Sequence, residues 1–180
     1  MRKIKILYVI TSLGLGGAEK LLLDYVKRLN SEKYSFYICC FRAKPDDLIG
    51  EISKYAEVTN FRISNKFNPI VIRHLIKLIN QVQPDIIHTH LFQPRFYTTI
   101  AHLFTRRGIL IAHKHNSVNI RKHNVFIFLE MLSIIFNQKV IAISQSVKQS
   151  LIKYEFVPEN KIAVIYNGIE YQNFNENINR

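Results

Sequence analysis

Seven apolar, β-rich runs separated by amphipathic segments constrain this chain more tightly than any single motif does. The runs lie at 4–10, 35–41, 57–63, 85–89, 109–113, 139–143 and 162–166; helix-like segments occupy 18–30, 46–55, 69–82, 94–106, 120–136 and 145–154. Strict alternation with near-continuous apolar strands predicts a parallel sheet covered by helices on both faces, a doubly wound, Rossmann-like α/β domain of about seven strands. Pro69 near the start of 69–82 and Ser144 just ahead of 145–154 are helix-start signals. In such sheets ligands bind beyond the carboxyl ends of the strands, where strand order reverses. The amino-terminal MRKIKILYVITSLG begins basic and continues apolar, as a secretory leader does. It is short, is β-rich and runs into a glycine turn without a small-residue cleavage site, so it reads as the first strand. No window approaches the ~18 uninterrupted apolar residues of a membrane span.

A chain of 180 residues with 48% hydrophobic content is long enough for one buried core. Cys39 and Cys40 are adjacent in an apolar run, where neighbours point to opposite faces; they are expected as thiols, which favours a reducing, cytoplasmic setting. The net charge of +12 is unevenly placed. Residues 61–123 carry ten Lys/Arg against the single acid Asp85, and all seven histidines lie between 74 and 123. Two readings stay open at this point: a solvated basic face, or a surface that meets phosphate, anionic lipid or nucleic acid. No nucleic-acid recognition motif accompanies the charge, so nucleic acid is not an expected partner.

Three motifs carry the chemistry. Leu13-Gly14-Leu15-Gly16-Gly17-Ala18-Glu19-Lys20 follows the first apolar run and opens a helix, which brings backbone N–H groups where an anion can approach. It lacks the third glycine of the dinucleotide fingerprint, and Phe41-Arg42-Ala43-Lys44 at the end of the second run offers no acid for a ribose. His88 and His90 in Asp85-Ile86-Ile87-His88-Thr89-His90 share one face of the fourth strand, and His113 and His115 form a similar pair on the fifth. If those strands are neighbours, up to four imidazoles meet at one end of the sheet. They could be structural, could hold a hydroxylated or phosphorylated ligand, or could bind a metal ion. A metal is disfavoured because no carboxylate or thiol joins them and Arg95 and Lys114 nearby would repel a cation. The third motif is Val140-Ile141-Ala142-Ile143-Ser144-Gln145-Ser146, followed by a helix and by Asn167-Gly168 after the last run. The segment IRKHNVFIFLEMLSIIF at 120–136 has apolar residues around most of its circumference and reads as a buried core helix rather than a membrane-surface one.

In order and spacing, LGLGGAEK, DIIHTH, HKHNS, VIAISQSVKQSL and KIAVIYNGIEYQNF resemble the amino-terminal domain of the family 4 retaining glycosyltransferases, which have the GT-B architecture. The resemblance covers nearly the whole chain. It implies transfer of a sugar from a nucleotide-diphosphate donor with no cofactor and no metal ion, in a cleft between two Rossmann-like domains. Residues 1–170 would be the acceptor-binding domain and 171–180 the start of an interdomain linker or a frayed tail. Carried over by position, Gly16 and Gly17 would approach the donor diphosphate, Glu19 and Lys20 would line the acceptor side, and His90 would sit by the transferred sugar as the catalytic residue. Arg95, His115, Asn116 and Ser144 would be further acceptor-side residues, and Asn167, Gly168, Glu170 and Phe174 the hinge.

The family's second domain supplies a basic pair for the diphosphate and a Glu-x7-Glu motif; no glutamate here has another eight positions later. The sequence therefore predicts an acceptor-binding half without its donor domain, and negligible transfer by this chain alone, since catalysis needs both reactants positioned. The expected partners are a donor domain or separate donor-binding chain, a polysaccharide or lipid-linked sugar acceptor, and an anionic membrane surface at its cytoplasmic face. The alternative is a non-catalytic, membrane-recruiting subunit of a split two-chain enzyme.

Overall fold

The computed structural model describes residues 2–29, 31–42, 47–63, 68–115 and 124–168. Seven strands form one sheet: β1 (Ile4–Ile10), β2 (Tyr34–Cys40), β3 (Glu57–Asn60), β4 (Ile86–His90), β5 (Ile109–Lys114), β6 (Lys139–Ala142) and β7 (Ile162–Val164). Six helices intervene: α1 (Gly17–Arg28), α2 (Ile49–Ile52), α3 (Ile70–Val82), α4 (Phe92–Thr105), α5 (Asn124–Ile135) and α6 (Gln145–Glu155). Every pairing is parallel and the order is β3-β2-β1-β4-β5-β6-β7. The order reverses between β1 and β4, so the switch point lies between the strand that precedes the glycine turn and the strand that ends in His90. The amino-terminal run is the strand beside that point, with Leu7, Val9 and Ile10 fully buried.

The two faces follow from strand alternation and right-handed crossovers. On one, Ile6, Tyr8, Ile10, Phe36, Ile38 and Cys40 pack against Leu22, Leu23 and Val26 of α1 and Ile52 of α2. On the other, Leu7, Val9, Cys39, Ile87 and Leu110 meet Val71, Leu75 and Ile79 of α3 and Tyr97 and Ala101 of α4. Ala112, Val140 and Ala142 continue that face beneath Ile134, Val147 and Leu151. Cys39 and Cys40 are free thiols on opposite faces, and burial pushes the Cys40 thiol up to about 11.

Two details of the strand-amino end hold the sheet in register. Asp85 accepts from Lys5 N–H at 2.9 Å and pairs with Arg2 at 2.6 Å, tying β4 to β1; the Lys5 N–H first, and Arg2 after it, hold its carboxyl below the usual range. Gly108, at φ +74°, brings the α4–β5 turn so close that a Cβ there would sit 2.7 Å from Pro84 O, which only glycine tolerates.

Most elements lie where the sequence places them, with instructive shifts. The helix expected from 94 begins at Phe92, because a proline in the first turn lacks an N–H that would in any case have no partner. The helix expected over 46–55 is the single turn of α2, and residues 43–46 lie outside the described residues. The buried-core reading of 120–136 is corrected over 128–136; residues 120–123 lie outside the described residues. In α5, Glu130, Ser133 and Ile134 face inward, whereas Phe128, Leu132 and Ile135 are exposed.

The inward polar residues of α5 belong to a buried ion network. Arg95 pairs with Glu130 and donates from Nε to Ser133 Oγ at 3.1 Å. Lys114 lies 2.8 Å from Glu130 and 2.7 Å from Glu155. Burial raises the Glu155 carboxyl above its ordinary value, and Lys114 opposes that rise. Removing one member of a buried pair leaves an uncompensated charge, typically at about 3–5 kcal/mol. Arg95→Ala is therefore expected to lower unfolding free energy by about that amount in urea titrations. A loss under about 1 kcal/mol would mean that water already solvates Glu130.

Candidate functional site

The carboxyl ends of β4 and β5 carry four imidazoles in contact. His88 and His90 are on the face shared with Tyr8, and register sets His90 beside His113. Ring centroids are 4.6 Å apart for His88–His90, 5.0 Å for His90–His113 and 4.4 Å for His113–His115. Tyr8 flanks the group, 5.2 Å from His88. His88, His90 and His113 are buried and His115 is partly exposed.

His90 Nδ1 and His115 Nε2 lie 3.1 Å apart, a hydrogen bond in which one imidazole donates and the other accepts. Whichever ring donates, the bond occupies His90 Nδ1 and leaves Nε2 as its unpartnered ring nitrogen. His88 Nε2 and both nitrogens of His113 also lack partners. Burial is the first cause holding all four rings below their ordinary basicity, to about 3 for His88 and about 2 for His113; His90 lies well below 6.5 and His115 is lowered too. Neighbouring imidazoles push His88, His90 and His113 further down. The site is a neutral, polar, largely dry patch that can hydrogen-bond hydroxyl or phosphoryl oxygens.

Neutral imidazoles are also metal ligands. One nitrogen each from His88, His90 and His113 lies within 4.8 Å of the others, which a borderline ion such as zinc could draw together. No carboxylate or thiol among the described residues joins that group. The cations thought to oppose a metal are elsewhere. Lys114 alternates to the opposite face from His113 and Arg95 is buried with it in the ion network, so charge repulsion is not what argues against a metal here.

Backbone strain sits beside the cluster. Leu91, directly after His90, has φ 70° and ψ 169°, a region otherwise reserved for glycine. Its half-buried side chain packs into the α1-side core, which holds the turn in place. No side chain caps α4, so its first N–H groups open at the strand-carboxyl end.

Across the switch point, Gly16 is the N-cap of α1 and has no side-chain cap. Glu19, the third residue of the helix, is buried and folds back over Gly16 so closely that a Cβ there would collide with its Oε2. Ser12 Oγ donates to Glu19 Oε1 at 3.3 Å. Glu19 thus turns to its own helix start, where a carboxylate is favourable, rather than lining an open acceptor surface. Gly16, Gly17 and Lys20 are exposed.

The remaining expected residues divide. Ser144 caps α6, accepting from Val147 N–H at 3.2 Å at the end of β6. Asn167 and Gly168 follow β7 and are exposed. Asn116, Glu170 and Phe174 lie outside the described residues. Arg95 is not brought to the cluster. Its side chain is 1% exposed and committed to Glu130, because position 95 falls on the α5-facing row of α4. Tyr8 and Leu91 were not anticipated. Tyr8 could have been found from strand alternation, since it shares the face of His88, but a leucine at positive φ leaves no sequence signal.

Comparison with known proteins places the fold. The Glycosyltransferase Family 4 model matches residues 15–173. The chain belongs to that family. It is 25% identical to the capsular polysaccharide biosynthesis glycosyltransferase CapH of Staphylococcus aureus, over 98% of this chain and 50% of CapH. A glycosyltransferase from Rickettsia africae superposes with a TM-score of 0.75 at 28% identity, covering 94% of this chain and 44% of that one. Anabaena HepE in complex with UDP gives 0.73 at 22% identity, covering 93% and 45%, a likeness of fold. The domain is thus the amino-terminal half of a GT-B glycosyltransferase fold, and the chain spans about half the length of the relatives it matches. Among the described residues, no helix is long and apolar enough to cross a membrane.

The buried histidines make stability pH-dependent. In the unfolded chain they bind protons below about pH 6.5; in the native state they remain neutral far lower. The unfolded state then holds more protons, so stability falls as pH drops below 6.5. His88 and His113 alone contribute a loss of about 3 kcal/mol between pH 6.5 and pH 5. Urea midpoints across that interval should fall, and less steeply for His113→Gln. A pH-independent midpoint would mean that the native cluster takes up protons.

Proposed function

We propose that this chain is the acceptor-binding half of a retaining glycosyltransferase that moves a sugar from a nucleotide-diphosphate donor to a polysaccharide or lipid-linked acceptor at the cytoplasmic face of the membrane. The family match over residues 15–173, together with an unpartnered His90 Nε2 at the switch point, supports this reading. His90 Nε2 hydrogen-bonds a sugar hydroxyl, and His115 holds the ring. Gly16 and Gly17, exposed at the start of α1, approach the leaving diphosphate from across the cleft, its charge displacing the Glu19 carboxylate that folds over Gly16 in the free chain. Lys20 and Ser144 flank the acceptor, and the Asn167–Gly168 segment leads to the donor-binding part. The transfer needs no metal ion. CapH, a capsular polysaccharide biosynthesis enzyme, supports a cell-surface polymer as the product.

The chain spans half of CapH, and on this reading a donor-binding half, covalently attached or separate, completes the enzyme. A split two-chain transferase is the second form of the same proposal. Purified alone, the chain should bind acceptor oligosaccharide, seen as shifts of the His90 and His115 ring signals by NMR, yet give no turnover with nucleotide sugars. Supplying the donor-binding half should restore transfer, and His90→Ala should then reduce kcat by about 100-fold or more. Robust turnover by the chain alone, or histidine signals indifferent to every acceptor, would overturn the reading.

A further inference from the structure

Helix α5 is built inside out. Glu130 and Ser133, with Asn137 one turn beyond, face the interior, while Phe128, Leu132, Ile135 and the following Phe136 face outward. The exposed four stand at i, i+4, i+7 and i+8, a continuous helical stripe. Phe128 is 58% and Ile135 56% exposed. The orientation is fixed from within: Arg95 and Lys114 both engage Glu130, and Thr99 Oγ1 donates to Ser133 O at 2.9 Å. Rotating α5 to hide its aromatic residues would strand two buried cations.

The surface around the stripe has a matching character. Positions 95, 99 and 103 form one row of α4 facing α5, and at the end of that helix Leu103 and Phe104 are exposed. Exposed Arg106 and Arg107 follow, Lys139 is exposed at the start of β6, and Lys161 Nζ donates to Ile135 O at 3.0 Å. Along α3, α4, α5 and α6 the only carboxylates are Glu130 and Glu155, both buried. Arg73, Lys77 and Lys153 point outward from the same layer. The four helices therefore present cations and apolar groups to the outside, and the exposed Glu159 that follows α6 is paired with Lys148 at 2.7 Å.

We propose that this face, centred on α5, docks the chain on an anionic lipid surface, with Phe128, Leu132, Ile135 and Phe136 entering the acyl boundary and the flanking cations meeting headgroup phosphates. Apolar groups in a bed of cations suit an interfacial mode of binding. A second copy of the chain would set cation against cation, which disfavours self-association through this face. The inference goes beyond sugar transfer, and its readout requires neither donor nor acceptor, so either can fail without the other.

The chain has no tryptophan, so Phe136→Trp places a single reporter on the stripe and Tyr55→Trp one beside α2 on the other side of the sheet. With vesicles of about 30% phosphatidylglycerol in phosphatidylcholine, the Phe136→Trp emission should shift to the blue and be quenched by brominated lipid, and that of Tyr55→Trp should not. The double variant Leu132→Ser/Ile135→Ser alters exposed positions; with its thermal midpoint retained, it should lose about tenfold or more in vesicle partitioning. Phosphatidylcholine alone, or about 0.5 M salt, should weaken binding similarly. Should Phe136→Trp not fold, Phe128→Trp reports on the same stripe. An unshifted stripe reporter on anionic vesicles overturns the proposal. So does equal binding to neutral vesicles, undiminished binding by the folded double variant, or stripe-dependent self-association without lipid.

Discussion

Two cations and two carboxylates, buried beneath three helices, fix how half of this domain is assembled. Arg95 comes from α4, Lys114 from the last position of β5, Glu130 from α5 and Glu155 from the end of α6. No pair among them could be buried alone without a large desolvation cost. As a neutral set they act as a clasp that orients α5 and anchors the carboxyl end of β5. Because strand residues alternate, committing Lys114 to this face commits His113 to the other. The ion network and the histidine cluster are thus opposite consequences of one strand.

That relation explains which parts of the molecule were legible in the sequence. Apolar periodicity reports strands and helices because burial is what it encodes, and the seven-strand parallel order follows closely. The pairing of His90 with His113 was likewise accessible, since it required only that the fourth and fifth strands be neighbours. The role of Arg95 was not. A basic residue just after a histidine-bearing strand looks like a ligand contact until its partners are known, and those partners are 35 residues or more away along the chain. The orientation of α5 was hidden for the same reason. In a helix apolar nearly all round, the few polar residues decide which side faces in, and here they face in because Arg95 and Lys114 require it.

The glycine turn carries a subtler lesson. Its glycines suggested an open anion site, and Gly16 and Gly17 are indeed exposed. Yet the α1 amino terminus already has a carboxylate, from Glu19, folded over Gly16. Helix-start N–H groups attract whatever negative charge is nearest, and the third residue of the same helix is always near.

Leu91 connects the two layers of the fold in another way. Its backbone occupies a conformation that costs on the order of 1–3 kcal/mol for a side-chain-bearing residue, and its side chain packs against the core that α1 shares with β1 and β2. The turn that aims His90 is therefore held open by packing on the far side of the switch point, like a spring kept under load by a distant latch. A change in α1 that loosens that packing would let the turn relax and swing the imidazole. Damage to the site would then arise in a helix that carries none of the histidines.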